Sequence, residues 1–257
     1  MALPEAILQV EDLVKYYGDR GNVTKALQGI SFRIRKGEFV GVMGPSGSGK
    51  TTLLNVVSTI DTPTSGQVVV GGRELTRLKG RELARFRREH LGFIFQEFNL
   101  LDTLTLRENI GLALSIAGNQ RDADRRVVEV ARRLGIEDVL DKFPYQVSGG
   151  QKQRAAAARA IINDPDLILA DEPTGSLDSR SAQMLLEAMG DLNQEMGATI
   201  MLVTHDPFAA SYCHRILFIK DGQLFTELVR GDAGRKSFFD QIMSVLGLLG
   251  GGSEDVR

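Results

Sequence analysis

The run Gly44-Pro45-Ser46-Gly47-Ser48-Gly49-Lys50-Thr51 places glycines, a lysine and a hydroxyl where a phosphate-binding loop needs them. Glycines let the backbone wrap around phosphate oxygens. Successive N–H groups and the positive end of a following helix then face a β-phosphate, Lys50 reaches β and γ oxygens, and the Thr51 hydroxyl can ligate Mg²⁺. The natural ligand of such a loop is a nucleoside triphosphate, although the loop alone names no enzyme class. A second group is Leu167-Ile168-Leu169-Ala170-Asp171-Glu172, an apolar run ending in two carboxylates. Asp171 suits the metal and Glu172 a water beside it. Two acids at a strand end are common, so this pair takes its weight from the phosphate loop. A third candidate is His205, which follows the apolar run Ala198 to Thr204, at the strand end where an imidazole can approach a ligand in the crevice.

These groups need a scaffold that delivers them to one edge. Glu38 to Met43 reads as a buried strand entering the glycine-rich turn, and Lys50 to Ile60 as the helix that follows. Further short strands are expected at Phe93 to Phe95, Leu167 to Ala170, Thr199 to Thr204 and Arg215 to Lys220, with helical patterns between several of them. That alternation predicts an α/β fold with a mostly parallel, helix-covered sheet. The first seventy or so residues differ. Ile7 to Val10, Ile30 to Ile34 and Gln67 to Val70 are strands separated by glycine-containing turns, which predicts a small antiparallel subdomain. Between Gln96 and Ser148 the pattern is mainly helical, with Val127, Val130, Ala131 and Leu134 on one face, so an inserted helical subdomain is expected. The arginine-rich stretches Arg81 to Arg88 and Arg121 to Arg133 read as solvated helix faces. Asp221-Gly222 reads as a hairpin turn, and the later segment SFFDQIMSVLGLLGGG as a short amphipathic helix before a glycine-rich end.

With 257 residues, 42% of them hydrophobic and 25% charged, the chain can bury a sizeable core without disulfides. Lys plus Arg at 31 against Asp plus Glu at 33 leaves a net charge of -2, too balanced for a globally basic nucleic-acid surface, so no nucleic-acid partner is expected. The apolar stretch Ile242 to Gly252 is interrupted by Ser244 and falls short of the roughly 18 residues a membrane span requires. The start MALPEAILQVEDLVK carries no secretory pattern, so a cytoplasmic location is expected. The single cysteine, Cys213, reads as a small packing residue.

Together with Val147-Ser148-Gly149-Gly150-Gln151, these elements stand in the order found in the ABC transporter ATPase family, which the chain resembles over essentially its whole length. The fold so implied is a P-loop NTPase (RecA-like) core. The implied divisions are an ATPase domain at 1–230, with the helical subdomain inserted at about 97–150, and a C-terminal extension at 231–257. The implied roles follow position by position. Tyr17 stacks on adenine, with Tyr16 the competing aromatic. The Gly44 to Thr51 backbone, Lys50 and Thr52 hold the phosphates of ATP, and Thr51, Gln96 and Asp171 serve Mg²⁺. Glu172 acts as base and His205 as γ-phosphate switch, with Asp178 in the D-loop Ser176-Leu177-Asp178. Ser148, Gly149, Gly150 and Gln151 form a second phosphate sensor that acts on the opposite protomer's ATP, so an ATP-dependent homodimer is implied. Departures from the family's usual pattern are Val147 where leucine is common and Gly-Ser-Leu-Asp in place of Ser-Ala-Leu-Asp; neither removes a chemical group.

Within the family, HLGFIFQEFNLLDTLTLRENI, VSGGQKQR, ADEPTGSLDS, THDPFAASYCHRILFIKDGQL and the tail KSFFDQIMSVLGLLGG resemble the group serving lipoprotein-release, macrolide-efflux and bacitracin-type peptide-antibiotic resistance permeases. The resemblance implies a separate permease of the macrolide-efflux or cell-division type, docking near Glu97 to Asn109. It further implies a sensor histidine kinase in the complex and a place on the cytoplasmic side of the membrane. Mechanotransmission by the same chemistry is the alternative, and a non-transport ABC ATPase the remote one.

Overall fold

The structure, a computed structural model, describes residues 6–18 and 21–250. Along the chain run β1 (Ala6–Tyr17), β2 (Thr24–Arg35), β3 (Phe39–Met43), α1 (Lys50–Val57), β4 (Ser65–Val70) and β5 (Arg73–Glu74). Then come α2 (Arg81–His90), β6 (Leu91–Phe95), α3 (Leu106–Ala117), α4 (Ala123–Arg133), α5 (Gly149–Ile161), β7 (Leu167–Asp171) and α6 (Ser179–Met196). The last elements are β8 (Ile200–Val203), α7 (Pro207–Ala210), β9 (Arg215–Lys220), β10 (Gln223–Val229) and α8 (Arg235–Gly250). The chain divides into two compact units, Met1–Arg77 with Met201–Arg257, and Leu78–Ile200.

In the first unit an antiparallel sheet of order β2-β1-β4-β5 forms the expected N-terminal subdomain. Its β1 is longer than the sequence pattern predicts. At Asp12 the backbone turns to a φ of 46° and the register with β2 shifts between Val10 and Leu13, so the two-residue alternation is lost just where the strand continues to Tyr17. The same unit holds a run of order β10-β9-β3-β8, in which β3 and β9 are parallel and pair Val40 with Arg215 through Met43 with Phe218. Every residue of β3 is buried, which is why its sequence is a continuous apolar run. Asp221 and Gly222 both have positive φ, 51° and 75°, as the predicted tight hairpin between β9 and β10 requires. Cys213 is fully buried beside this layer, and a Cβ added at Gly41 would come within 3.2 Å of its Sγ. The α8 helix lies against α7 and buries Phe238, Ile242 and Leu249.

Helix α1 stops at Val57 rather than reaching Ile60. The Ser58 hydroxyl donates back to the Asn55 carbonyl at 3.0 Å and Thr59 adopts a φ of 61°, which turns the chain out of the helix.

In the second unit β6 and β7 are parallel, pairing Leu91 with Leu167 through Phe95 with Asp171. Gln96 and Glu172 therefore leave adjacent strand ends in register. Helix α4 buries Val127, Ala131 and the following Leu134, as its spacing predicts, while Val130, expected on the same face, is only half-buried. Its arginines are not all simply solvated: Arg126 donates to the Ile162 carbonyl and to Asp164, tying α4 to the turn after α5. Buried Asn109 in α3 donates to the carbonyls of Leu101, Leu104 and Thr105 and accepts from the Leu101 N–H at 2.7 Å. With the Thr105–Glu108 capping box, that clasp gives the 101–105 loop one conformation.

Among the described residues, no helix is long and apolar enough to cross a membrane.

Candidate functional site

The predicted residues divide between the two units. Tyr17, Gly44 to Thr52 and His205 lie in the first; Gln96, Ser148 to Gln151, Asp171, Glu172 and Asp178 lie in the second.

In the first unit, the loop Gly44–Gly49 joins the end of β3 to α1 as expected. Gly49 is the N-cap of α1 at a φ of 104°, and a Cβ there would stand 2.5 Å from the Ala26 carbonyl oxygen, so only glycine fits. At Gly44 a Cβ would overlap the Ile219 carbonyl oxygen at 2.0 Å. Lys50 Nζ donates to the Gly44 and Pro45 carbonyls, each at 2.9 Å, and so lies across its own loop. The Ser48 hydroxyl is buried and has no hydrogen-bond partner among the described residues. An orphaned hydroxyl inside a loop whose Gly44 and Gly49 leave no room for a Cβ fits a ligand rich in oxygen acceptors. The loop is also held from a direction the sequence does not announce: the Gly222 N–H donates to the Ser48 carbonyl at 3.0 Å, and the Gly222 carbonyl accepts from Gln28.

Tyr17 ends β1 and is 40% exposed, against 37% for Tyr16, so exposure does not separate the two aromatics. Their anchoring does. The Tyr17 hydroxyl donates to Asp61 at 2.6 Å, and Lys15 Nζ binds the other Asp61 oxygen at 2.7 Å. Lys15 also sits 4.6 Å from the centroid of the Tyr17 ring. Burial, then the Asp61 hydrogen bond, holds the Tyr17 phenol above its ordinary pKa, while a hydrogen bond with Thr52 of α1 opposes the rise. For Asp61, burial pushes the pKa up, but hydrogen bonds from Lys15 and Tyr17 prevail and hold the carboxyl below its usual range. Tyr16 has a longer cation contact, with Lys25 at 5.8 Å.

His205 is exposed at the turn after β8. Buried Thr204 precedes it, its N–H on the Val42 carbonyl, so His205 leaves the sheet where β3 enters the phosphate loop. Asp206 follows it and caps α7 through the Phe208 N–H at 2.9 Å.

In the second unit, Ser148 is the N-cap of α5. Its hydroxyl accepts from the Gln151 N–H at 3.3 Å and its N–H donates to the Gln151 side chain at 3.0 Å, a closed capping box. Gly150 is buried, and a Cβ there would meet the Ser181 Oγ at 2.6 Å. Ser181 is in turn held by Asp178, the N-cap of α6, at 3.0 Å through its N–H and 2.7 Å through its hydroxyl. Those two bonds, the side-chain one first, hold the Asp178 carboxyl below its ordinary range. The Ser176 hydroxyl donates to the Gln96 carbonyl at 3.0 Å, joining the turn before α6 to the end of β6.

Glu172 shows a feature invisible in the sequence: its φ is 45°. Most of the other non-glycine residues with positive φ among those described are Asp or Asn, whose short side chains suit that region; a glutamate there is strained.

Residues 27–175 match the family model described as ABC transporter. The chain is 56% identical to the bacitracin export ATP-binding protein BceA of Halalkalibacterium halodurans, over 97% of this chain and 99% of that protein. It is 47% identical to the macrolide export ATP-binding/permease protein MacB of Campylobacter jejuni, over 82% of this chain but only 33% of that protein. A dimeric structure of the ATP-binding cassette MJ0796 in a post-hydrolysis state, bound to ADP and Pi, is 37% identical and superimposes with a TM-score of 0.78, covering 86% of this chain and 98% of that one. A P-loop α/β fold with an antiparallel N-terminal sheet, a complete set of motifs and these relatives lead to one conclusion: the chain belongs to the ABC transporter family, as an ATP-binding, ATP-hydrolysing subunit.

Proposed function

We propose that this ATPase works as an ATP-dependent homodimer on the cytoplasmic side of a membrane, powering a separate permease that removes peptide antibiotics of the bacitracin class. The observation that carries the reading is the end-to-end match to a bacitracin export ATP-binding protein, whereas a macrolide exporter is matched only over its ATPase third. A separate permease accords with the absence, among the described residues, of a helix able to cross a membrane. A sensor histidine kinase is included among the partners on the sequence resemblance alone. The assigned divisions are 1–230 for the ATPase domain, 97–150 for its inserted helical part and 231–257 for the extension.

The chemistry proposed for the site follows from its residues. Tyr17, with its far end fixed by Asp61, offers a ring face to adenine. Lys50, Thr52 and the Gly44 to Thr51 amides neutralise and orient the phosphates. Mg²⁺, when bound, withdraws charge from the phosphate oxygens; Thr51, Gln96 and Asp171 are the residues that would serve it. Glu172 takes the proton of the attacking water while the bond from the γ-phosphorus to the bridging oxygen breaks and ADP leaves. His205 contacts the γ-phosphate, and Ser148 to Gln151 present their helix N-terminus to the phosphate held by the partner subunit. Closure of the dimer on ATP and reopening after hydrolysis is passed to the permease through residues 97–109. Beside that segment lies an open groove of about 410 Å³ lined by Phe93, Phe95, Leu112 and Ile116, whose wall residue Arg159 also donates to the Phe98 and Asn99 carbonyls.

The test pairs enzyme with phenotype. Glu172→Gln is expected to retain ATP binding, to dimerise on ATP in light scattering, and to lose turnover by about two orders of magnitude or more. Ser148→Arg should abolish the super-linear dependence of turnover on protein concentration. Co-expressed with its permease in a bacitracin-sensitive host, the wild type should raise resistance and Glu172→Gln should not. Equal resistance from both would overturn the transport reading.

A further inference from the structure

Three motifs of the second unit meet at one buried side chain with no role in the chemistry proposed above. Gln153 sits one turn into α5, behind the signature Ser148-Gly149-Gly150-Gln151, and is fully buried. Its Nε2 donates to the carbonyl of Phe95, the residue before Gln96, at 2.7 Å, and to the carbonyl of Pro173, the residue after Glu172, at 2.8 Å. Its Oε1 is buried without a hydrogen-bond partner among the described residues. The amide is therefore oriented by its two donated bonds alone, and a residue with one donor or none cannot span both carbonyls.

The location gives that clamp a task. Phe95 pairs with Asp171 across the parallel β6–β7 ladder, and the two carbonyls that Gln153 grips lie just beyond it, flanking Gln96 and Glu172. The Pro173 carbonyl belongs to the backbone that holds Glu172 at its strained φ of 45°. Two further side chains tie neighbouring backbone: Ser176 Oγ donates to the Gln96 carbonyl, and Arg159 to the carbonyls of Phe98 and Asn99. Helix α5, whose first turn is the signature, thus grips the backbone of the residues proposed to serve the chain's own ATP.

We propose that Gln153 is a positioning residue that couples the two ATP sites of the dimer. Engagement of the signature by the partner's nucleotide moves α5, and the Gln153 amide carries that movement to Gln96 and Glu172, so hydrolysis at one site depends on occupancy of the other. The proposal rests on the dimeric reading above. It concerns discrete bonds with two geometries, made or released, rather than general flexibility.

The experiment uses the full chain. Gln153→Met keeps the volume and removes both donors; Gln153→Asn keeps a polar amide one methylene too short to span both carbonyls. Each is compared with wild type in four readouts: fluorescent-ATP affinity, melting temperature, turnover against protein concentration, and the Hill coefficient for ATP. The expected result is affinity within about twofold of wild type, turnover lower by about tenfold, and a Hill coefficient falling from near 2 towards 1. A merely structural role would lower the melting temperature and turnover and leave the Hill coefficient unchanged; that result overturns the proposal, as does wild-type behaviour in either folded variant. A wild type without super-linear turnover would instead defeat the dimeric reading itself. Hydrogen exchange on Glu172→Gln needs no Gln153 variant: ATP should slow exchange in 94–99 and 172–176 together with 148–153, and slowing confined to 148–153 overturns the proposal.

Discussion

Two helices begin on glycine-containing turns proposed to face phosphate, and their first turns are finished in opposite ways. At α1 the N-cap is Gly49, in a left-handed conformation that only glycine fits, and no side chain caps the helix. At α5 the N-cap is Ser148, and its capping box with Gln151 is complete within the chain. A helix start with its own cap is closed within the chain; one without a side-chain cap leaves its first N–H groups open to water or to a ligand. The difference accords with the proposed roles: a phosphate loop left open for nucleotide, and a signature already capped within its own chain before it meets the partner's site.

The comparison breaks most severely at Gly49. Gly49→Ala forces a Cβ against the Ala26 carbonyl at an unfavourable φ, so urea unfolding should show a loss of about 1–3 kcal/mol and titration should show ATP binding abolished. Ser148 sharpens it next. Ser148→Ala should cost about 1 kcal/mol in the same unfolding assay, and Ser148→Asn, which still caps, should restore that stability. If Ser148 acts only as a cap, Asn restores ATP-dependent dimerisation as well; a phosphate contact predicts that it does not.

A smaller effect is expected where α1 meets the adenine-stacking candidate. Asp61→Asn weakens the bonds to Lys15 and Tyr17, and should raise the KM for ATP by about threefold to tenfold with kcat unchanged. Tyr16→Leu should leave KM near wild type, and a larger rise there than in Tyr17→Leu would exchange the two aromatics.

The smallest effect is a pH dependence at His214. His214 Nδ1 accepts from the Phe39 N–H at 3.2 Å, and burial, then the nearby Arg230 charge, depress its pKa against the opposing pull of Glu38. A depressed histidine pKa favours the neutral ring in the folded state. Its stabilisation is full above 6.5, the ordinary histidine value, and is lost as pH falls from there through the lower folded value. His214→Asn, which retains an acceptor and does not titrate, should flatten the decline in melting temperature below that pH.

Much of this arrangement was legible because it is local. β9 runs from Arg215 to Lys220 as its apolar pattern predicts, and Asp221-Gly222 turns where a hairpin signal stands. The phosphate loop, the paired carboxylates and the signature carry their chemistry in consecutive residues. What stayed hidden is tertiary. Gln153 stands within the recognisable run VSGGQKQR, but nothing there announces its partners, since Phe95 and Pro173 are distant in sequence. Asp61 likewise has no motif of its own, and the strained φ of Glu172 is set by its surroundings rather than by its residue type. The bulge at Asp12 concealed the length of β1 for a related reason: one extra residue shifts every later side chain to the opposite face.

Cys213 is the one thiol in the chain, and it is shut inside the protein, where burial pushes its pKa well above the ordinary value and keeps it from forming a thiolate. The molecule is therefore a natural background for site-directed spectroscopy. A cysteine placed at the exposed Tyr145, shortly before the signature, could be alkylated by a maleimide dye without first removing the native one. Energy transfer between two such dyes in a dimer would then record opening and closing in real time, one molecule at a time.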